Sequence, residues 1–142
     1  MISKIPGGYY IKARKIQDSE IAHATPAVRE IWDYILREAN HTDKKYGGFA
    51  VKRGQLFRSY QDIRDALSWR VGYRTMRYSE DVTKKAMKAL RRQLRITTTK
   101  ALGGVLITVL NYDFYQNPKN YDGTDDGTDG GTNAAPMRHY PW

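Results

Sequence analysis

Apolar residues recur at positions 28, 31, 32, 35, 36 and 39, the spacing of a helix with one buried stripe. Thr25-Pro26 stands in front of them as an N-cap followed by proline at the first helical position. The polar run NHTDKKYGG at 40–48 ends that helix. Two short apolar runs, 49–51 and 55–57, flank Lys52-Arg53-Gly54 and read as a small strand element or hairpin. Ser59 with Asp62 three residues on has the form of a capping box. It opens a second helix to about Trp69, with Ile63, Ala66 and Leu67 turned inward. Residues 70–78 break the pattern, and Ser79 caps a third helix with Glu80 and Asp81 in its first turn. Two β-branched runs, 96–100 and 105–110, surround Gly103-Gly104 as a hairpin. Before all of these, Tyr9-Tyr10-Ile11-Lys12 reads as an edge strand and 18–22 as one helical turn.

The third helix sorts its residues by charge. At about 100° per residue, Val82, Ala86, Met87, Ala89, Leu90 and Leu94 fall on one flank. Lys84, Lys85, Lys88, Arg91, Arg92 and Arg95 fall on the opposite one. No Asp or Glu follows Asp81 in this stretch, whereas a helix facing only water usually mixes signs to gain i,i+4 pairs. Six like charges repel one another unless a polyanion relieves them, so the flank is read as a surface for nucleic acid.

The element order of helix, small strand, helix, turn, basic helix and hairpin specifies an α+β fold. It is that of a winged helix-turn-helix, with a three-helix core and a C-terminal β-hairpin wing, followed by a disordered tail. In that arrangement Lys84, Lys88 and Arg91 occupy the centre of the exposed arc and are candidates for base edges. Lys85, Arg92 and Arg95 lie toward its margins and suit phosphates. Lys100 and Thr97–Thr99 on the wing are candidates for phosphate, although alternating threonine suits any exposed hairpin. Arg70, Arg74 and Arg77 are further DNA candidates. They interleave with Tyr73, Tyr78 and Trp69, which either stack on unpaired bases or pack the loop onto the core; packing is the expectation for Trp69.

Charge is unevenly spread. The 142 residues hold 24 Lys+Arg against 15 Asp+Glu, a net +9. Residues 1–116 carry +11 and the tail 117–142 carries −2. The chain is therefore read as one basic domain, 1–116, with a low-complexity Gly/Thr/Asp tail that ends in aromatic residues. The repeat DGTDDGTDGGTN lacks the spacing of a calcium loop, PMRHYPW is a candidate docking peptide, and the acidic tail is a candidate competitor of DNA. No cysteine is present, which excludes disulfides and cysteine–zinc sites. His23, His41 and His139 are scattered, and no phosphate-binding loop appears, so neither enzymatic activity nor a cofactor is expected. No apolar run approaches a membrane span, and MISKIPGGYY lacks the apolar core of a secretion signal; a cytoplasmic protein without membrane contact is expected.

Four segments, GGYYIKARKI, ANHTDKKYGG, VKRGQLFRSYQDI and ITVLNYDFYQNP, resemble a family of phage and prophage proteins with an N-terminal winged helix, the replisome organisers or DnaD-like replication initiation proteins. The likeness spans about residues 8–118, and the combination of RGQ…S with NYD.YQ is its most specific part. It implies origin binding and recruitment of a replicative helicase or loader, with Ser79 and 84–92 in the recognition helix and 97–108 in the wing. The chain departs from the family in a longer stretch between the second and third helices. It also has Leu94 where relatives often place a helix-ending glycine, and it lacks a counterpart of the DnaD-like helicase-contacting domain, which implies DNA binding without helicase loading. A winged-helix transcriptional regulator is the alternative, and an adaptor whose basic helix meets an acidic protein is a third reading.

Overall fold

A computed structural model describes residues 4–46 and 48–122; the readings made for 123–142 lie outside the described residues. The chain enters extended, but the expected strand at 9–12 does not form. The two backbone groups of Ile11 are instead taken by one side-chain amide: its N–H donates to Gln116 Oε1 at 2.9 Å, and Gln116 Nε2 donates to its carbonyl at 3.1 Å. Two 3-10 turns follow, Arg14–Asp18 and Glu20–His23.

Helix α1, Pro26–Glu38, begins as its sequence specifies, with Thr25 accepting from the Val28 N–H. Its stripe is the floor of the core: Ile31, Trp32, Ile35 and Leu36 are all buried. The polar run beyond α1 then supplies a strand that polarity alone conceals. Strand β1, Lys44–Tyr46, pairs antiparallel with β2, Phe49–Val51. The expected pairing across Lys52-Arg53-Gly54 is therefore replaced. The Gln55 N–H closes a turn on the Lys52 carbonyl at 3.0 Å, Gly54 takes φ +82°, and the chain passes into a second sheet. There β3, Gln55–Arg58, pairs with β7, Gly104–Val109, which in turn pairs with β6, Ile96–Ala101. The spatial order is β3-β7-β6.

Helix α2, Tyr60–Ala66, carries the capping box in full: the Asp62 N–H donates to Ser59 Oγ at 2.9 Å and the Ser59 N–H to Asp62 Oδ2 at 2.8 Å. It stops short of Trp69, and of its expected inward residues Ile63 is buried, Leu67 half-buried and Ala66 exposed. The chain is diverted there into a third antiparallel pair, β4, Trp69–Val71, and β5, Arg74–Met76. Gly72 sits at the turn with φ +62°, as a two-residue hairpin loop led by glycine permits.

Helix α3, Glu80–Arg92, is capped by Ser79, whose hydroxyl accepts from the Val82 N–H at 3.1 Å. It buries Thr83, Ala86, Met87 and Leu90. Thr83 can be interior because its hydroxyl donates to the Ser79 carbonyl at 2.9 Å; a buried hydroxyl needs such a partner. Val82 and Leu94, expected on the core flank, are exposed. Leu94 is exposed because the helix ends there: the Arg95 N–H donates to the Leu90 carbonyl and the Leu94 N–H to the Arg91 carbonyl, both at 3.0 Å, with Leu94 at φ +59°. This is the Schellman arrangement normally given to glycine.

A short helix α4, Tyr112–Tyr115, follows β7 from Asn111 at φ +63°. Tyr115 meets Trp32 edge-on at 5.8 Å between ring centroids, closing a core shared by α1, α2, α3 and the β3-β7-β6 sheet. The fold is thus a mixed α+β arrangement of helices and small antiparallel sheets.

Candidate nucleic-acid interface

The exposed side of α3 is less uniformly cationic than its sequence suggests. Lys84 pairs with Glu80 and Lys85 with Asp81, each at 3.2 Å and each at i,i+4. The two carboxylates sit in the first turn, where the helix dipole favours them, and they neutralise the N-terminal half of the rod. Lys88 and Arg92, one turn apart and exposed, have no carboxylate partner among the described residues. The α3 cations that lack a carboxylate partner among the described residues therefore lie in its C-terminal half.

Arg91, expected at the centre of the arc, is half-buried and points across the fold. Its Nη1 reaches Tyr60 Oη on α2 and Thr98 Oγ1 on β6, both at 3.4 Å. It ties the helix to the hairpin.

Arg95 corrects the helical-wheel expectation. It is 5% exposed, with its guanidinium 5.5 Å from the Trp32 ring centroid and its Nε donating to Gln93 Oε1 at 2.8 Å. Burial pulls its pKa below the ordinary guanidinium value, opposed by Tyr115 and Glu20. The cause of the inward turn is Leu94. Once that residue leaves helical geometry, the 100° step no longer places residue 95, and the chain folds it back onto α1.

The arginines of 70–77 divide in two. Arg77 Nε donates to Asp65 Oδ1 at 2.7 Å, and that bond is the main cause of the lowered Asp65 pKa. Arg77, although exposed, is thus tied to Asp65 as a brace between β5 and α2. Arg70 and Arg74 project from the β4–β5 hairpin and are exposed, as is Lys100 near the tip of the β6–β7 hairpin; among the described residues none of them has a carboxylate partner. The aromatics also divide. Trp69 packs on Tyr78 at 5.3 Å between centroids, whereas Tyr73 is 98% exposed at the turn.

The β4–β5 hairpin is the feature that pattern reading missed. Its signal was a glycine-led pair, Gly72-Tyr73, centred between two three-residue strands, without the buried alternation that normally marks a hairpin.

The two most specific motifs of the resemblance meet each other rather than the cationic face. Arg53 Nε lies 2.6 Å from Asp113 Oδ1, its Nη1 donates to the His41 carbonyl at 2.7 Å, and its guanidinium lies 5.0 Å from the Tyr112 ring centroid. A Cβ on Gly54 would stand 3.0 Å from Tyr112 Cβ. RGQ and NYD.YQ together clasp the turn before β3 to the turn after β7.

Among the described residues no helix is long and apolar enough to cross a membrane, and no group of His, Asp or Glu is placed to hold a metal ion. Comparison with protein families, characterised proteins and solved structures gives no match, so the likeness to replisome organisers rests on the four quoted segments.

Proposed function

We propose that the chain binds double-stranded DNA through the solvent side of α3, as a winged helix-turn-helix protein of phage-type replication initiation. The observation that carries this reading is the exposed pair Lys88 and Arg92, without a carboxylate partner among the described residues, on a helix whose opposite side is buried in the core. The order α1, β3, α2, α3, β6, β7, with β7 between β3 and β6, supports it. That is the sequence of parts in which a helix-turn-helix carries its reading helix third and a hairpin wing after it. Lys84 and Lys85 join at little cost, because exposed i,i+4 pairs are worth only about 0.3–0.5 kcal/mol and phosphates can replace Glu80 and Asp81. Lys100 extends the contact along the wing. The role in replication, and with it a helicase or loader as protein partner, is drawn from the resemblance.

The test is a Lys84→Ala, Lys88→Ala, Arg92→Ala variant measured by fluorescence anisotropy on duplex DNA. All three side chains are exposed, so an unchanged circular dichroism spectrum and melting temperature are expected alongside a loss of affinity of at least about tenfold, the scale of two or more phosphate contacts. A folded variant with wild-type affinity contradicts the reading.

A further inference from the structure

The hairpin formed by β4 and β5 contributes little to the core. Apart from half-buried Met76, every residue of 69–76 is exposed, yet its base is tied down on several sides. Trp69 packs on Tyr78, Arg77 bonds Asp65, Arg64 Nε donates to the Tyr78 carbonyl at 2.8 Å, and Tyr78 Oη donates to Glu30 of α1 at 2.6 Å. The result is a short ribbon braced against α1 and α2. Its outgoing strand leads through Arg77 and Tyr78 into Ser79, the cap of α3.

The register decides what this ribbon displays. Arg70 stands opposite Thr75, and Val71 opposite Arg74. Cross-strand partners share a face and successive residues alternate, so Arg70 and Arg74 lie on opposite faces. Tyr73 lies at the turn between them, 98% exposed. The arginines at the base find protein acceptors; among the described residues, Arg70 and Arg74 have no carboxylate. The other hairpin shows the contrast: its tip residue, Leu102, is equally exposed but offers no ring.

From this arrangement we infer that the β4–β5 hairpin is a binding site for unpaired DNA bases beside the duplex, with Tyr73 as the stacking platform and Arg70 and Arg74 gripping the flanking phosphates. A ring on a convex tip reaches the face of a base only where that base is out of its stack, and aromatic stacking with a cationic frame is how single strands are held without sequence preference. Phosphate contact alone would use the arginines and leave the tyrosine without a role. The braced base lowers the ordering cost of presenting the ring. The inference deepens the duplex-binding reading, on which its position beside a duplex rests: it assigns the protein a duplex end or opened site as its preferred target.

The experiment compares the full chain on a blunt duplex, the same duplex bearing one arm of unpaired thymines, and a thymine homopolymer. Tyr73→Ala should weaken binding to the armed duplex and the homopolymer by about tenfold, within the range of one lost stack, and leave the blunt duplex within about twofold. Tyr73→Trp should retain wild-type affinity for unpaired DNA. A fluorescent base analogue in the arm should be quenched by wild type and not by Tyr73→Ala. Equal losses on blunt and armed duplex would place the ring in the duplex contact, and no loss on any DNA would remove Tyr73 from DNA binding; either result overturns the inference. The Lys84→Ala, Lys88→Ala, Arg92→Ala variant on the blunt duplex reports separately on the duplex reading, so the two can fail independently.

Discussion

At the residue scale, one side chain decides how far the helical pattern can be extrapolated. Leu94 adopts a left-handed conformation that costs a non-glycine residue about 1–2 kcal/mol, and the residue is 73% exposed, so little packing offsets that cost. Leu94→Gly is expected to stabilise the fold by about 1 kcal/mol, read as a higher midpoint in urea with an unchanged slope. A destabilised variant would show that the Leu94 side chain does more than its exposure implies. The same residue explains why Arg95 was misplaced by sequence. Its charge fitted the cationic flank, and nothing local announces that the preceding leucine will take glycine's place. Thr83 is the converse case: a polar residue in the core, legible only once its hydroxyl is seen to donate to a carbonyl one turn back.

At the scale of elements, legibility followed the range of the interactions. Helix starts are set by neighbours within three residues, so the Thr25 cap and the Ser59–Asp62 box were readable and are present. Strand partners are set by distant residues. The runs at 49–51 and 55–57 read as a local strand element or hairpin, but the mate of β3 is β7, some fifty residues on. The β4–β5 hairpin has no apolar alternation, because neither of its faces is buried, and its role as a braced projection depends on Tyr78. Burial, reinforced by the bond to Glu30, pushes the Tyr78 phenol up to about 12; burial also raises Tyr115 and Tyr121 to about 12. A raised phenol pKa favours the neutral folded form. The stabilisation from each is therefore complete below the ordinary 10.0 and is lost as pH rises toward 12. An ultraviolet titration should show these phenols ionising late, with the fold loosening in the same interval. Phenols that all titrate near 10 while the protein stays folded would contradict that packing.

For the molecule as a whole, the surplus charge of 1–116 matters less than where it is left unpaired. Glu80 and Asp81 quiet the first half of α3, Arg91 and Arg95 are drawn into the fold, and Arg77 is spent on Asp65. On α3 and the β4–β5 and β6–β7 hairpins, the exposed cations without a carboxylate partner among the described residues are Lys88, Arg92, Arg70, Arg74 and Lys100; Arg14, Lys44, Lys45 and Lys52 are exposed and likewise unpaired elsewhere on the surface. Sequence located the cationic helix α3; which of its charges stay outward depends on where the helix ends and which cations the core recruits. On the proposed reading, binding releases counterions, and log affinity should then fall linearly with log salt, by about 0.9 for each phosphate neutralised on duplex DNA. The most direct measurement is that salt titration on one duplex, for wild type and for the Lys84→Ala, Lys88→Ala, Arg92→Ala variant. A steep wild-type slope that becomes shallower by roughly two to three units in the variant is the expected result; equal slopes for the two proteins would show that α3 is not where this chain meets DNA.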